Sequence, residues 1–477
     1  MRRELDALAS REHDLVVVGG GIYGAVAAWD AAQRGLEVAL VEREDFGSGA
    51  SWNSLKTIHG GLRYLRTGNL GRLRESARER SILLTIAPEL VRPLPFLVPA
   101  RGHGTEGREV LALALWFNDR LTRGRNRGLP PERQIQEGRM VSAAEARRLV
   151  PGLATTDLTG AAVWSDAQAS STERLTLAFV HAAAEAGARV ANHLEAVGLL
   201  RLGKRVSGIA ARDGLDGRTI EVRSRMVLNA AGPWAEELVA EAGVRRRSGA
   251  LLRARNLVLR LAPPAPLAVG AKSEGRYLFL VPWQGLTLVG TSYESAAAPP
   301  SDPMAFREEA GRAFPWAGLE AAPVTLVHEG LVPGTVGGEL ATRPRLRDHE
   351  REDGLAGLVT VQGVKYTTAR AVAERVVDLV VRRLRLAARP CRTAITPLRR
   401  ARPLAGTLEQ RVSEAVRDEM ALTLADAVLR RLDLGTAGPP LSADLDAVCR
   451  VMAAERGWDE ARQDAERATL ARVYPHA

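Results

Sequence analysis

Near the start of the chain stands Asp14-Leu15-Val16-Val17-Val18-Gly19-Gly20-Gly21-Ile22-Tyr23-Gly24, an apolar run that passes directly into a glycine-rich turn. The run 14–18 predicts a short buried strand, because a strand covered on both faces needs apolar residues throughout. Residues 25–34 are rich in alanine and predict a helix, which Gly35 ends. Residues 36–41 are apolar again and predict a second strand. The sequence therefore predicts a β-α-β unit.

Glycines at positions 19, 21 and 24 of this unit form a G-x-G-x-x-G motif between strand and helix. Gly19 permits the tight turn, Gly21 lets the backbone approach a pyrophosphate, and Gly24 lets the helix pack on the strand. The helix N-terminus offers unpaired N–H groups and the positive end of its dipole to phosphates. Glu42 closes the second strand, where a carboxylate accepts hydrogen bonds from ribose hydroxyls. Together these features predict a dinucleotide site.

Two observations favour FAD over a nicotinamide dinucleotide. The motif lies at the very start of the chain, and the sequence shows no second copy of it. A long polar and glycine-rich segment also follows Glu42, and such a segment can run beneath the second half of a dinucleotide. We therefore expect FAD as the cofactor.

Length, charge and cysteine content narrow the class further. A chain of 477 residues is too long for one core, so two or three domains are expected. The net charge of +10 suits an anionic cofactor, a phosphorylated substrate or an anionic membrane surface, and also a merely solvated basic surface. No nucleic-acid-binding motif stands out, so no nucleic-acid partner is expected. Cys391 and Cys449 form neither a metal-binding nor a disulfide pattern, which predicts no metal and a reducing, cytoplasmic location.

The run Lys56-Thr57-Ile58-His59-Gly60-Gly61-Leu62-Arg63-Tyr64-Leu65 closely resembles the K-L-I-H-G-G-L-R-Y-L signature of the flavin-linked glycerol-3-phosphate dehydrogenases, within the D-amino-acid-oxidase-like FAD oxidoreductases. Further stretches resemble the family's N-A-A-G-P-W, G-R-x-x-F-x-x-P-W and G-G-K-L-T-T motifs and its helical tail; they are Asn229–Trp234, Gly275–Trp283, Gly363–Thr368, Arg430–Gly435 and Gly457–Glu460. The resemblance covers nearly the whole chain, from about residue 14 to residue 472.

The resemblance implies an α/β fold with a Rossmann-like FAD-binding domain, an inserted α+β substrate domain and a C-terminal helical domain. The FAD-binding domain is expected to be discontinuous, at 12–70, 150–245 and 340–395. The substrate or cap domain would occupy 71–149 and 246–339, and the helical domain 404–477.

The resemblance also implies FAD-dependent oxidation of sn-glycerol 3-phosphate to dihydroxyacetone phosphate, with electrons passed to a quinone; transfer to oxygen stays open. His59 is the first candidate for the base that takes the hydroxyl proton, and Lys365 is the second. Arg63 and Arg343 would hold the phosphate, and Tyr64 would orient it. The expected cofactor contacts are Gly19, Gly21, Ile22, Tyr23, Gly24, Glu42, Arg43, Ser51, Ser54, Lys56, Thr57, His59, Gly60, Gly61, Ala230, Gly232, Gly363, Lys365, Tyr366 and Thr367.

Departures from the family pattern cluster in the substrate domain. The family's G-x-R-P is here Gly330-Leu331-Val332-Pro333, so Val332 replaces an arginine that contacts substrate. Asn256 likewise replaces the histidine of K-G-x-H. Arg253 and Arg255 could restore positive charge or could be solvent-facing. These changes leave two alternatives open: a related FAD enzyme for another small anionic alcohol or amine, and a flavoprotein that has lost turnover.

Residues 110–117 form the most apolar stretch of the chain, and several arginines follow it. An apolar helix with aromatic residues and flanking arginines suits shallow insertion at an anionic membrane surface, whereas a buried helix is the alternative. No apolar run of about 18 residues exists, so no spanning segment is expected. The sequence thus leaves open a peripheral site on the inner face of the cytoplasmic membrane, and it leaves the oligomeric state open, with a dimer as one option.

Overall fold

The computed structural model describes residues 1–65, 67–104, 106–153, 157–241, 243–245, 249–335 and 337–474. The domain ranges expected from the sequence also include residues that lie outside the described ones. Within it, two large sheets and a C-terminal group of helices make up the chain.

The strands, in chain order, are β1 His13–Val18, β2 Val38–Val41, β3 Thr57–Ile58, β4 Val91–Arg101, β5 Arg139–Val141, β6 Leu158–Ala169, β7 Arg189–Ala191, β8 Leu194–Leu202, β9 Arg205–Asp213, β10 Thr219–Asn229, β11 Leu251–Leu259, β12 Ala268–Ser273, β13 Arg276–Trp283, β14 Leu286–Ser295, β15 Val324–Pro333, β16 Arg345–Asp348 and β17 Leu358–Gln362.

The α-helices are α1 Leu5–Ala9, α2 Ile22–Gln33, α3 Leu70–Ile86, α4 Arg108–Leu121, α5 Ala143–Leu149, α6 Thr172–Glu185, α7 Ala235–Glu241, α8 Pro303–Ala313, α9 His349–Asp353, α10 Ala369–Leu384, α11 Leu408–Glu419, α12 Ser442–Arg456 and α13 Glu460–Ala471. Short 3₁₀ turns span Leu62–Leu65, Pro131–Arg133, Gly232–Trp234, Leu319–Ala321 and Tyr366–Thr368, and a π-helix spans Asp426–Arg431.

The first sheet has the order β16-β17-β10-β1-β2-β7, with β8 and β9 extending from β10. Strands β17, β10, β1, β2 and β7 run parallel. Alternate residues of β1 enter different cores, Leu15 and Val17 on the α2 side and Val16 and Val18 on the other, which is why these four residues are all apolar. The β-α-β unit is confirmed, and the carboxyl ends of β1, β10 and β17 meet at one edge, where α/β sheets bind ligands.

The second sheet has the order β15-β11-β14-β13-β12-β4-β6-β3, with β5 beside β6, and most of its pairs are antiparallel. It stands where the sequence analysis expects the substrate domain. Strand β6 pairs along the whole of β4, from Arg101 opposite Leu158 to Val91 opposite Ala169. It therefore belongs to the second sheet, although its residues lie within a range expected for the FAD-binding domain.

The C-terminal helices pack on a shared apolar cluster that includes Val412, Leu424, Val428 and Met452. Apolar residues recur there at helical spacing, but they do not form one helix. Helix α11 ends at Glu419, and Met420 adopts a left-handed backbone with φ of 53°. Beyond it, Val428 belongs to a separate π-helical turn, and Leu424 precedes that turn.

Helix α4 turns an apolar face to solvent. Leu115 is its buried residue, whereas Val110, Leu113, Trp116 and Phe117 are each between 44% and 59% exposed. The helix is therefore not the buried one that the sequence analysis kept as an alternative. Among the described residues, no helix combines the length and the apolar character that crossing a membrane requires.

Candidate cofactor cleft and active site

A cavity of about 560 Å³ opens where the carboxyl ends of β1, β10 and β17 meet. Val18, Ala230 and Gly363, which lie at or just beyond these ends, form its floor, and the second sheet contributes the opposite wall through Asn256 and Val332. The cavity thus runs from the parallel sheet to the predicted substrate domain.

The glycine turn shapes the near wall because two positions have no room for a side chain. Gly19 has φ of 104°, and a Cβ atom there would lie 2.6 Å from the carbonyl oxygen of Ala230. A Cβ atom on Gly24 would lie 1.9 Å from the carbonyl oxygen of Gly19, so α2 rests directly on the turn. Gly21 is the N-cap of α2 and has no side chain to occupy the helix N-terminus, which lines the cavity. The turn can therefore receive a pyrophosphate.

Glu42 also lines the cavity, with each carboxylate oxygen holding one backbone amide. Oε2 accepts from the N–H of Gly20 at 2.6 Å, and Oε1 accepts from the N–H of Glu44 at 3.0 Å. Each oxygen keeps further capacity to accept from a ribose hydroxyl. Burial raises the pKa of Glu42. Beside it, the guanidinium carbon of Arg43 lies 3.9 Å from the centre of the Trp234 ring.

Tyr23 ties the first helix to the segment after β17. Its hydroxyl donates to the carbonyl oxygen of Lys365 at 2.8 Å and accepts from the N–H groups of Val364 and Lys365, both at 3.2 Å. A Cβ atom on Gly363 would lie 1.9 Å from the Tyr23 ring. The contact holds the far wall of the cavity, including Lys365, at a fixed distance from the glycine turn.

Lys365 presents a partly neutral amine at the cavity wall. Its Nζ donates to the carbonyl oxygen of His59 and to the Ser76 hydroxyl, both at 3.0 Å. Burial lowers the pKa of Lys365 to about 7, and Arg63 and Arg80 lower it further, while Asp166 opposes the shift. A neutral amine that donates two hydrogen bonds keeps its lone pair free, so it can accept a proton from a ligand in the cavity.

His59 lies between a hydroxyl and a carboxylate. Its Nε2 lies 2.7 Å from Thr57 Oγ1, and its Nδ1 lies 3.6 Å from Asp166 Oδ2. Asp166 is buried, and it also accepts from the Gly60 N–H at 2.5 Å and from Arg80. Although burial raises the pKa of Asp166, its contacts with His59 and Arg80 outweigh that effect and lower it to about 2.

Sequence reasoning missed Asp166, Arg80 and Ser76. The sequence offered one signal, since Asp166 is the single charged residue in the run 160–169 of β6. Ser76 and Arg80 lie one turn apart on α3, which the sequence analysis assigned to the cap domain, so nothing there linked them to His59.

The cavity wall brings together most of the expected cofactor contacts: Gly19, Gly21, Ile22, Tyr23, Glu42, Arg43, Ser51, Ser54, Thr57, His59, Ala230, Gly232, Gly363, Lys365, Tyr366 and Thr367. Other expected site residues lie elsewhere: Gly24, Lys56, Gly60, Gly61, Arg63, Tyr64 and Arg343 are not part of this wall. That any of them contacts a ligand stays a prediction.

Three of the residues outside the cavity wall have other contacts or exposure that the structure defines. Lys56 is fully buried, and its Nζ lies 2.5 Å from Glu173. Arg63 is exposed, but it is close enough to lower the pKa of Lys365. Arg343 is exposed and lines a separate cavity of about 140 Å³.

The substrate side is poor in positive charge. Among the described residues of the cavity wall, the arginines and lysines are Arg43, Arg212 and Lys365, and Arg212 pairs with Glu195 at 2.8 Å. Arg253 and Arg255 do not line the cavity, because Glu294 and Glu329 hold both of them in ion pairs of 2.6 to 3.1 Å. Asn256 and Val332 lie where the family pattern has cationic or titratable groups.

The residues present fit FAD. Gly19 leaves no room for a side chain at the turn, Glu42 retains acceptor capacity for a ribose, and the same cavity reaches Lys365. All three features line a single cleft, as the ribose, pyrophosphate and ring of an extended dinucleotide require.

Comparison with known proteins agrees with this fit. Residues 14–379 match the model of the FAD dependent oxidoreductase family, and residues 388–463 match the C-terminal domain of alpha-glycerophosphate oxidase. Glycerol-3-phosphate dehydrogenase 2 of Mycobacterium bovis is 35% identical over 388 residues, which are 78% of this chain and 64% of that protein. The chain thus spans less than two thirds of this relative's length.

Glycerol-3-phosphate dehydrogenase of Synechocystis sp. is 32% identical over 425 residues, which are 83% of this chain and 75% of that protein. The crystal structure of glycerol-3-phosphate dehydrogenase from Bacillus halodurans complexed with FAD superposes with a TM-score of 0.73 at 23% identity, covering 98% of this chain and 95% of that one. The fold class is therefore confirmed. The chain belongs to the FAD-dependent oxidoreductases, within the glycerol-3-phosphate dehydrogenase family, and FAD is its cofactor.

Proposed function

We propose that the protein oxidises the secondary alcohol of sn-glycerol 3-phosphate to the ketone of dihydroxyacetone phosphate. Bound FAD supplies the acceptor for the hydride that leaves carbon 2. The relatives named above support the substrate. The observation that carries the chemistry is the Lys365 amine at the cavity wall.

Lys365 is the better placed of the two candidate bases. With His59 O and Ser76 Oγ accepting its two N–H groups, its lone pair remains for the substrate hydroxyl proton. Its pKa of about 7 leaves a large neutral fraction at neutral pH. The His59 ring has Thr57 at one nitrogen and Asp166 at the other, so it is suited to orienting the substrate and fixing the Lys365 contact.

The test is an anaerobic titration of the FAD-loaded protein with sn-glycerol 3-phosphate, following the visible absorbance of the oxidised flavin. Loss of that absorbance at low substrate concentration is the expected result. Unchanged absorbance, in protein that dithionite still reduces, would refute the assignment.

A second candidate is oxidation of a small alcohol or amine that carries less negative charge. The replacement of two family positions by Val332 and Asn256 favours it, since a dianionic phosphate prefers several arginines or lysines. The same titration with a panel of 2-hydroxy acids, polyols and amino acids separates the two candidates. If dithionite reduces the flavin and no substrate in the panel does, the result would instead support the third possibility, a flavoprotein without turnover.

The electron acceptor is proposed to be a quinone reached at a membrane surface. The exposed apolar face of α4, with Trp116 and Phe117, and the arginines that follow it suit shallow insertion among anionic lipids. Co-sedimentation with vesicles containing an anionic phospholipid tests this, with Trp116→Ser expected to reduce pelleting. Leu202→Ser is the matched control, because Leu202 is an exposed apolar residue on the distant β8–β9 hairpin. Equal pelleting of both variants would contradict the assignment.

A further inference from the structure

A short segment, residues 42–51, forms the cofactor loop of this cleft. Its two ends, at Glu42 and at Ser51, both line the cavity. Backbone hydrogen bonds attach it to its surroundings: the N–H of Gly47 donates to Gly20 O at 3.0 Å, and the N–H of His193 donates to Glu44 O at 2.7 Å. The position of this loop therefore affects both Glu42 and the glycine turn.

At the middle of the cofactor loop, Asp45 is completely buried and faces the C-terminal domain. Arg431 donates two hydrogen bonds to Asp45, from Nη1 to Oδ2 at 2.5 Å and from Nη2 to Oδ1 at 2.8 Å. Arg430 adds a third from Nε at 2.5 Å, and Asn192 a fourth at 2.9 Å. Two arginines from a domain almost four hundred residues away in the chain thus hold one carboxylate of the cofactor loop.

The two arginines are themselves held rigidly. Arg430 also donates to Asp426 at 3.1 Å, and Arg431 Nε donates to the carbonyl oxygen of Glu419 at 3.0 Å. Asp426 in turn accepts from His193 at 2.9 Å. Both arginines lie in the π-helical turn, a backbone form that is rare and frequent at functional sites.

The cluster pairs two carboxylates with two guanidinium groups and is almost inaccessible to solvent. Asp45 and Asp426 are fully buried, Arg431 is 1% exposed and Arg430 is 7% exposed. A bidentate pair in such surroundings specifies geometry closely, and removing one partner leaves an uncompensated charge. The Asp45–Arg431 pair joins the C-terminal domain to the loop that carries Glu42. A displacement of the C-terminal domain is therefore transmitted to the cofactor loop.

We infer that Arg430 and Arg431 are positioning residues for the cofactor, through which the C-terminal domain holds the cofactor loop in the shape that retains FAD. The arginines do not touch the cleft, and they act through Asp45. The inference concerns the cofactor, so it is independent of which substrate the protein oxidises.

The test compares two arginine-to-glutamine variants. Arg431→Gln removes the bidentate contact with Asp45. Arg174→Gln, the matched control, removes an arginine from another buried ion pair between the same domains, in which Arg174 of α6 binds Glu419 and not the cofactor loop. FAD dissociation constants of the apoproteins are measured by flavin fluorescence, together with their unfolding temperatures.

We expect Arg431→Gln to raise the FAD dissociation constant about 5- to 150-fold, the usual size of coupling between two sites. Arg174→Gln should lower the unfolding temperature to a similar degree and leave the dissociation constant near that of the unchanged protein. Amide hydrogen exchange in residues 42–51 should quicken in the Arg431 variant alone. Equal dissociation constants in the two variants would overturn the inference, because a merely structural role affects both alike.

If Arg431→Gln does not fold, Arg430→Gln serves in its place, since it leaves the bidentate Arg431 contact intact. A smaller rise in the dissociation constant is then expected, and no rise would overturn the inference.

Discussion

The two ends of the cavity differ in what defines them. At the cofactor end, the walls are set by glycines packed closely against their neighbours: Gly19 against the Ala230 backbone, and Gly363 against the Tyr23 ring. At the substrate end, the walls are side chains such as Asn256 and Val332 on the pleated second sheet.

This difference explains why one end keeps the family pattern and the other departs from it. A Cβ atom at Gly19 would lie 2.6 Å from the carbonyl oxygen of Ala230, which excludes every residue except glycine, so the cofactor end tolerates little change. A side chain on a strand, by contrast, can be exchanged while the strand keeps its pairing, as Val332 does opposite Leu252. Cofactor binding is therefore specified by the fold, and substrate choice by a few exchangeable groups.

The largest expected effect is at Gly24. Gly24→Ala places a Cβ atom 1.9 Å from Gly19 O and must push α2 off the turn. We expect a loss of roughly 3 kcal/mol in the free energy of unfolding, the upper end of what overpacking costs, and loss of bound FAD. Denaturant unfolding and the flavin content of the purified protein measure both.

Gly71→Ala is the control for this variant, since Gly71 lies in α3 with open space around it. It should keep FAD and gain up to about 1 kcal/mol from the better helix propensity of alanine. Flavin retention in Gly24→Ala would show that the turn adapts, and the comparison between the two ends would fail.

The next largest effect is at Lys365. Lys365→Met should slow flavin reduction by substrate by about 10²- to 10⁴-fold, the usual contribution of a positioned base. Because the pKa of Lys365 is lowered to about 7, its neutral form prevails above that pH. The reduction rate of the unchanged protein should therefore rise as the pH rises through about 7, and this step should vanish in the variant.

Stopped-flow absorbance of the flavin across the pH range measures this rate. Lys204→Met is the control, since Lys204 is exposed on the β8–β9 hairpin. A pH step that persists in Lys365→Met would assign the base to another group, with His59 the first to examine.

The same contrast explains which features could be predicted from the sequence. The β-α-β unit, the glycine turn and Glu42 follow from local patterns, because each depends on neighbours within the same stretch of chain. The group around His59 does not, since Asp166, Arg80 and Lys365 come from β6, α3 and the end of β17. Only the fold brings these distant residues together.

Long-range pairing also accounts for the other differences. Lys56 stands in the family signature, and its amine pairs with Glu173 in the core, a contact that the local sequence does not predict. The Arg430–Arg431 pair belongs to a motif that the sequence analysis assigned only to a helical tail, and its partner Asp45 lies in another domain. A periodic pattern predicts an element, but it does not predict the charge partner that the element meets.

At the substrate end, Val332→Arg restores the cation that the family pattern contains. If sn-glycerol 3-phosphate is the substrate, the variant should lower KM about tenfold, as one added hydrogen bond between charged groups would. Val332→Met is the control for added bulk without charge. Weaker binding in both variants would show that this wall faces an uncharged part of the substrate and would favour the second candidate function.

The smallest effects separate the two arginines predicted to hold phosphate. Arg63 is near enough to Lys365 to lower its pKa, whereas Arg343 is exposed in a separate cavity. Arg63→Ala should therefore raise KM for the phosphorylated substrate about tenfold. Arg343→Ala should change it by less than about twofold, because its exposed charge lines a separate cavity. Steady-state kinetics with a soluble quinone analogue measures both, and the reverse order would mean that the substrate end extends past Pro333 into the second cavity, so that the two walls compared here are not the complete site.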